Sequence, residues 1–352
     1  MSPPRLFLAC DQGKSPPEGK PRAGRIPRAI EIPIPSRYHR AVECLPEMIH
    51  PIRPKPNVTR TLPPFGLVLL VFLSVFWGTN WPLMKIGLRE IPVWTFRTLC
   101  LFLGGFGVLC IAKANGLMLT IPRSERWPLL LVSLLNVTGW HLCSGYGLIS
   151  MDAGRAVIIG YTMPVWASIL SIFLLGERLT GARLIGLLLG IAGLLILIGP
   201  DIRVLGSAPL GAIFMLGAAV TWAGGTVLLK YFHWTMPITA LTGWQLILGG
   251  IPVIIGAFVL EPVTVLLHVS WRAALATGYV ILIGNILCFW AWIKVVHLFP
   301  ASVASIGTLA IPVIGVLSSA VVLGEPVGAG EIAALILVIM ALSVVMIGPK
   351  GI

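Results

Sequence analysis

A chain of 352 residues in which 57% are hydrophobic and 11% charged, with a mean hydropathy of +0.95, is excluded from the soluble globular class, where about a quarter of residues are charged. By composition it is a polytopic membrane protein. The net charge of +12 would suggest nucleic acid or an acidic surface in a soluble chain, but here half of the excess lies in the tail, and no nucleic-acid partner is expected: residues 1–60 hold 11 Lys/Arg against 5 Asp/Glu, and the remaining 292 residues hold 14 against 8.

Residues 1–62 are rich in Pro and Arg, as in Pro51-Ile52-Arg53-Pro54-Lys55-Pro56, and contain no apolar run long enough for a signal-peptide core or a spanning helix. The segment reads as a disordered, basic tail. Its charge suits an anionic lipid surface, and a start site assigned too far upstream would leave the same tail without a role.

From Pro64 onward, apolar runs follow one another at about 65–84, 92–112, 128–149, 155–176, 181–199, 209–230, 239–260, 274–295, 302–323 and 331–349. Each is near the roughly 20 residues that cross about 30 Å of hydrocarbon. Between them stand charges and helix stops, among them Arg89-Glu90-Ile91-Pro92, Gly199-Pro200-Asp201 and Glu261-Pro262. The expected fold is therefore all-α, with ten transmembrane helices.

The fourth and ninth runs repeat one another. Ala153, Pro164, Leu175, Gly176 and Glu177 recur 148 positions later as Ala301, Pro312, Leu323, Gly324 and Glu325. One offset holding over about 25 residues marks a duplicated unit, with a first repeat at 63–200 and a second at 207–349. Five helices per repeat make the second copy enter from the opposite side, an inverted-topology arrangement that recurs in secondary transporters with the site between the repeats. Both copies read as a helix with a proline near its middle, so Pro164 and Pro312 are the expected kinks. Glu177 and Glu325 read as water-exposed helix ends, with gating salt bridges as the other reading.

With the N-terminus inside, the inner loops and the C-terminus hold eight Lys/Arg and the outer loops five, not counting Arg97 and the tail. This places both termini in the cytoplasm and the chain in the cell membrane. The six cysteines form no CxxC pair, and four lie in apolar runs, which argues against a disulfide framework or metal site. No cofactor motif is present. A Walker-type glycine loop and an HExxH site are both missing from the sequence, so neither a built-in ATP motor nor a zinc peptidase is expected.

Phe76-Trp77-Gly78-Thr79-Asn80-Trp81 in the first run, Thr95-Phe96-Arg97 in the second, Tyr146 through Gly154, Pro164 through Glu177, and Ala301 through Glu325 together resemble the EamA-type ten-helix transporters of the drug/metabolite transporter superfamily. The resemblance covers about residues 64–349. It implies a small-molecule substrate moved by alternating access between two five-helix halves, with no covalent step. Departures lie in the second copy, where Trp222-Ala-Gly-Gly-Thr226 has no equivalent of Asn80, and Gln245 stands 148 residues after Arg97.

Polar residues at membrane depth are the candidate substrate contacts. Arg97 has no acidic residue at comparable depth. It either reaches the outer headgroups or holds a substrate carboxylate or phosphate. Asn80, Asn136, His141, Gln245 and Asn285 serve either a ligand or interhelical hydrogen bonds; His141 also offers a proton-coupling group. Trp77, Tyr161 and Trp244 are candidate walls for a partly apolar solute. Gly186, Gly190 and Gly193 give the fifth helix a smooth face for another helix of the chain or for a second copy in a homodimer.

The expected function is a secondary transporter exporting small metabolites such as amino acids or related compounds. Efflux of drugs or other cations on the same fold is the alternative within the class. A membrane-embedded lipid-modifying enzyme is the alternative outside it, and would need clustered His and carboxylates at one interface.

Overall fold

A computed structural model describes residues 64–176, 181–203, 208–298 and 310–347. The expectations for the tail and for Glu177 lie outside the described residues. The helices are α1 Pro64–Glu90, α2 Val93–Ala114, α3 Arg123–Ser150, α4 Ala153–Leu175, α5 Gly181–Arg203, α6 Ala208–Tyr231, α7 Ile238–Leu260, α8 at 271–298, α9 Ala310–Leu323 and α10 Ala329–Ile347. Seven of these ten are long and apolar enough to span a bilayer, and α5, α9 and α10 carry shorter apolar stretches. Among the described residues the ten-helix, all-α class is the one observed, in two inverted five-helix repeats.

The two glycines of the repeated Gly-Glu pairs do the same work. Gly176 ends α4 at φ 65° and Gly324 ends α9 at φ 69°, the left-handed conformation that stops a helix without a Cβ penalty. α1 runs six residues past its expected end at 84, to Glu90. Lys85, counted among the outer-loop charges, therefore lies within α1 and finds partners inside the protein.

The expected kink at Pro164 is corrected. α4 consists of two pieces, Ala153–Gly160 and Met163–Leu175, joined by a turn at Tyr161 and Thr162. Pro164 therefore occupies the first turn of a new helix, where its missing N–H costs nothing. Pro312 lies in α9, and the residues before Ala310, which would decide its role, lie outside the described residues. Pro82 in α1 and Pro252 in α7 do lie inside helices. Two further irregularities fall at matching places: α3 widens to a π-helical turn over Leu134–Gly139 and α8 over Val280–Leu287. Each holds one of the paired asparagines, Asn136 and Asn285.

The repeats interleave. α2 packs along α7 and α5 along α10, while α1 lies on α9 and α6 on α3 and α4. Close crossings depend on missing side chains: a Cβ on Gly78 would stand 2.5 Å from Ile314 of α9, and one on Gly193 would stand 3.2 Å from the Ala334 carbonyl of α10. The glycine face of α5 is thus used within the chain, at Gly190 against Val165 and at Gly193 against α10.

Since successive helices reverse direction, the ends of α1, α3, α7 and α9 and the starts of α2, α4, α8 and α10 share one face, here the Glu325 face. Carboxylates tie helix starts together there. Glu261 accepts from the backbone N–H of Trp94 and Thr95 at 3.0 and 2.7 Å. Glu90 accepts from the N–H and hydroxyl of Ser270 at 2.7 and 2.6 Å. Glu325 accepts from Ala153 and Gly154 at 2.9 Å each. Each places a negative charge on unsatisfied donors at a helix start, worth about 0.5–2 kcal/mol. With a side chain only 9% exposed, Glu325 is not the water-exposed terminus expected of it. On the opposite face, Glu125 accepts from the N–H of Thr235 at 2.8 Å and from its hydroxyl.

Candidate functional site

Six of the nine substrate candidates meet at one cavity of about 130 Å³. Trp77 and Asn80 come from α1, Arg97 from α2, His141 from α3, Tyr161 from the break in α4 and Asn285 from the π-turn of α8. Asn136 and Gln245 line a narrow cleft that shares His141, Trp222 and Phe289 with it. Trp244 is not brought to the site: its indole N–H donates to the Leu119 carbonyl at 2.7 Å, and the ring packs with Leu241 and Met236. Sequence depth alone does not say which side of α7 a tryptophan faces.

Arg97 is 1% exposed. It does not reach the headgroups, because Nη1 points at the Met84 sulfur at 3.3 Å and Nη2 donates to the Ser144 hydroxyl at 2.9 Å. Nε has no partner. Gly145 lets α2 approach α3 beside it, since a Cβ there would stand 2.6 Å from Val93 Cγ1. Among the described residues no carboxylate pairs with Arg97, and none lines the cavity. A guanidinium with two neutral partners at this depth carries an uncompensated charge, which is costly in a medium that screens poorly.

Around it stand polar atoms with nothing to bond: Asn80 Oδ1, Asn136 Oδ1 and His141 Nδ1. Asn285 is satisfied, donating from Nδ2 to the Cys100 carbonyl at 3.1 Å, and so serves an interhelical bond. Asn80 can lie against α8 only because Gly284 has no side chain; a Cβ there would be 2.6 Å from Asn80 Oδ1. The Trp77 indole donates to the Gly284 carbonyl at 3.1 Å, fixing the same crossing.

Aromatic rings close the rest. Trp81 meets Trp140 edge-on at 6.4 Å and Tyr161 at 6.5 Å, and Trp140 lies 5.1 Å from Trp222. Beyond Trp77, Tyr161 and Trp222 a second chamber of about 350 Å³ continues past Phe289 and Trp292 to Leu342, toward the face opposite Glu325. Its lining is apolar apart from Thr226 and the Tyr161 and tryptophan polar atoms. The whole arrangement offers one fixed cation, orphaned amide acceptors and an apolar arm. It binds and orients; among the described residues no group of three His, Cys, Asp or Glu comes together.

Sequence reading missed Met84, Ser144, Phe289 and the Lys85–Glu325 contact. A signal for the last was present: Trp77 and Lys85 recur 145 positions later as Trp222 and Lys230, a second offset beside the 148 of the fourth and ninth helices.

Comparison with known proteins agrees with this architecture. A family model described as the EamA-like transporter family matches residues 64–199 and again 209–347. An uncharacterized transporter of Bacillus subtilis, YvbV, is 30% identical over 289 residues, covering 79% of this chain and 90% of that protein. A protein of Escherichia coli named as a probable amino-acid metabolite efflux pump is 25% identical over 265 residues, covering 73% and 87%. A solved crystal structure superposes with a TM-score of 0.58 at 22% identity over 81% of this chain and 97% of that one.

Proposed function

The chain belongs to the EamA-like transporter family, and from that membership we propose that it exports small carboxylate-bearing metabolites, amino acids or related compounds, across the cell membrane by alternating access. The observation that carries this reading is Arg97, a buried guanidinium on the cavity wall with no carboxylate beside it. A substrate carboxylate supplies the missing counter-charge and can use the donors that Met84 and Ser144 leave free. Asn80 Oδ1 accepts from a substrate amine, and the aromatic rings take an apolar body. Both termini lie in the cytoplasm on the excess of Lys/Arg in the inner loops. The name of the Escherichia coli relative supports the amino-acid class.

The interleaved packing, with α1 on α9 and α2 along α7, supports movement of helices across the repeat boundary in place of the two sequence halves rocking as blocks. Hydrophobic cations are disfavoured as substrates because they would meet the fixed charge of Arg97.

The test is ligand-induced thermal stabilisation of the purified protein across amino acids, nucleotides, sugars and hydrophobic cations. A ligand at 100 times its Kd stabilises the folded state by about 2.7 kcal/mol. Stabilisation by zwitterions or anions that disappears in Arg97→Ala is the expected result. Stabilisation confined to cations, unchanged in Arg97→Ala, overturns the reading.

A further inference from the structure

Glu325 sits where three helices from both repeats converge. Its Oε1 accepts from Lys85 Nζ of α1 at 2.9 Å and from the Ala153 N–H of α4 at 2.9 Å, and its Oε2 from the Gly154 N–H at 2.9 Å. Lys85 adds a bond to the Met151 carbonyl at 2.9 Å and lies 3.6 Å from Asp152. The two side chains are only 14% and 9% exposed. Arg155 and Glu331, at 3.1 Å, tie α4 to α10 at the same face and are about 20% exposed.

Directly beneath, the seam is closed by apolar packing. A Cβ on Gly315 of α9 would stand 3.0 Å from Val157, and Ala153, Ala156, Val157, Ile158 and Ile159 are all 0% exposed. Lys85 also follows Met84, whose sulfur faces the Arg97 guanidinium, so the ion pair lies one residue along α1 from the cavity wall. The wide apolar chamber extends the other way.

We propose that Lys85, Glu325 and the first two N–H groups of α4 form a latch that holds the Glu325 face shut over the cavity and parts when solute passes there. A buried pair suits that task. While closed, each charge is satisfied by the other and by the backbone; once α9 moves off α1 and α4, water satisfies both, so two states are tolerated and the half-broken one is not. An apolar contact would hold the face without that all-or-none character. The latch gives the transport reading its gate, but the measurement below does not depend on any substrate.

Hydrogen exchange, read by mass spectrometry on the purified full-length chain, tests it. Glu325→Gln retains the side-chain shape and one acceptor, and Lys85→Met retains the stem, so both variants keep the fold. In each, exchange over 151–160 and 316–324 is expected to rise about tenfold, while 126–139 and 238–250 at the other face stay as in the wild type. The double variant should exchange no faster than the faster single one, since both changes break one tie. The charge swap Lys85→Glu with Glu325→Lys should not restore protection, because lysine cannot accept from the helix start. Unchanged exchange at the Glu325 face, an equal rise at both faces, or full rescue by the swap would each overturn the latch. If no metabolite stabilises the protein in the ligand screen while exchange behaves as described, the substrate reading fails and the latch stands.

Discussion

The two repeats share a frame and differ at their buried polar positions. In the first, α1 carries Asn80 and α2 carries Arg97; the corresponding positions of the second are Gly225, 145 residues on, and Gln245, 148 residues on. Asn80 lies against Gly284, and Asn136 lies against Gly225, where a Cβ would be 2.7 Å from the Asn136 Cβ. The crossing of helices is thus preserved in both copies by an asparagine facing a glycine. Only the first copy spends its buried positions on a guanidinium. What the duplication maintains is packing, and what it has let drift is the recognition chemistry.

The strongest way to break this contrast is at Arg97. Arg97→Ala should weaken binding of a carboxylate substrate by about 2–5 kcal/mol, the cost of truncating one partner of a buried charge pair, read by titration calorimetry. Arg97→Lys, a point charge without the planar fork, should retain part of that affinity. Moving the charge to the other repeat comes next: Arg97→Gln with Gln245→Arg should not restore binding. Gln245→Arg alone should cost several kcal/mol of stability by placing a second unpaired cation beside His141, seen as a lower melting temperature.

A smaller effect is expected from Gly284→Ala, whose added methyl displaces Asn80. It should lower stability by about 1–3 kcal/mol and reduce affinity for amine-bearing ligands more than for simple carboxylates. Asn285→Leu loses one interhelical bond, about 0.6 kcal/mol on the membrane scale, and should leave ligand affinity nearly as it was. Trp244→Phe, off the site, should change stability by about 1 kcal/mol through the lost bond to Leu119 and leave binding untouched.

The ten spans, the repeat and its inversion were readable in the sequence, because hydrophobic length, charged breaks and a constant offset all act locally along the chain. Polar and aromatic residues inside apolar runs were readable too, and six of the nine candidates picked that way meet at one cavity. Azimuth was not: Trp244 and Gln245 are neighbours in sequence, yet one faces a satellite cluster and the other the cleft. Nor was partnership. Lys85 read as a loop charge and Glu325 as a water-exposed helix end because a charge near a span end ordinarily meets water, and only the fold brings residues 240 positions apart within 2.9 Å. Pro164 misled for a related reason: proline marks a break in the helical bond pattern without saying on which side of the break it falls. In α4 the break precedes it, at Tyr161 and Thr162, which places a tyrosine and a helix start on the cavity wall.

The central claim is that Arg97 receives a substrate carboxylate. Titration calorimetry of the purified protein with the most stabilising acid and with its methyl ester tests it most directly, since the ester retains the body of the ligand and loses the charge. The acid should bind at least about tenfold more tightly than the ester, a difference of about 1.4 kcal/mol or more, and Arg97→Ala should bring the two together. Equal affinity of acid and ester in the wild type would contradict the account.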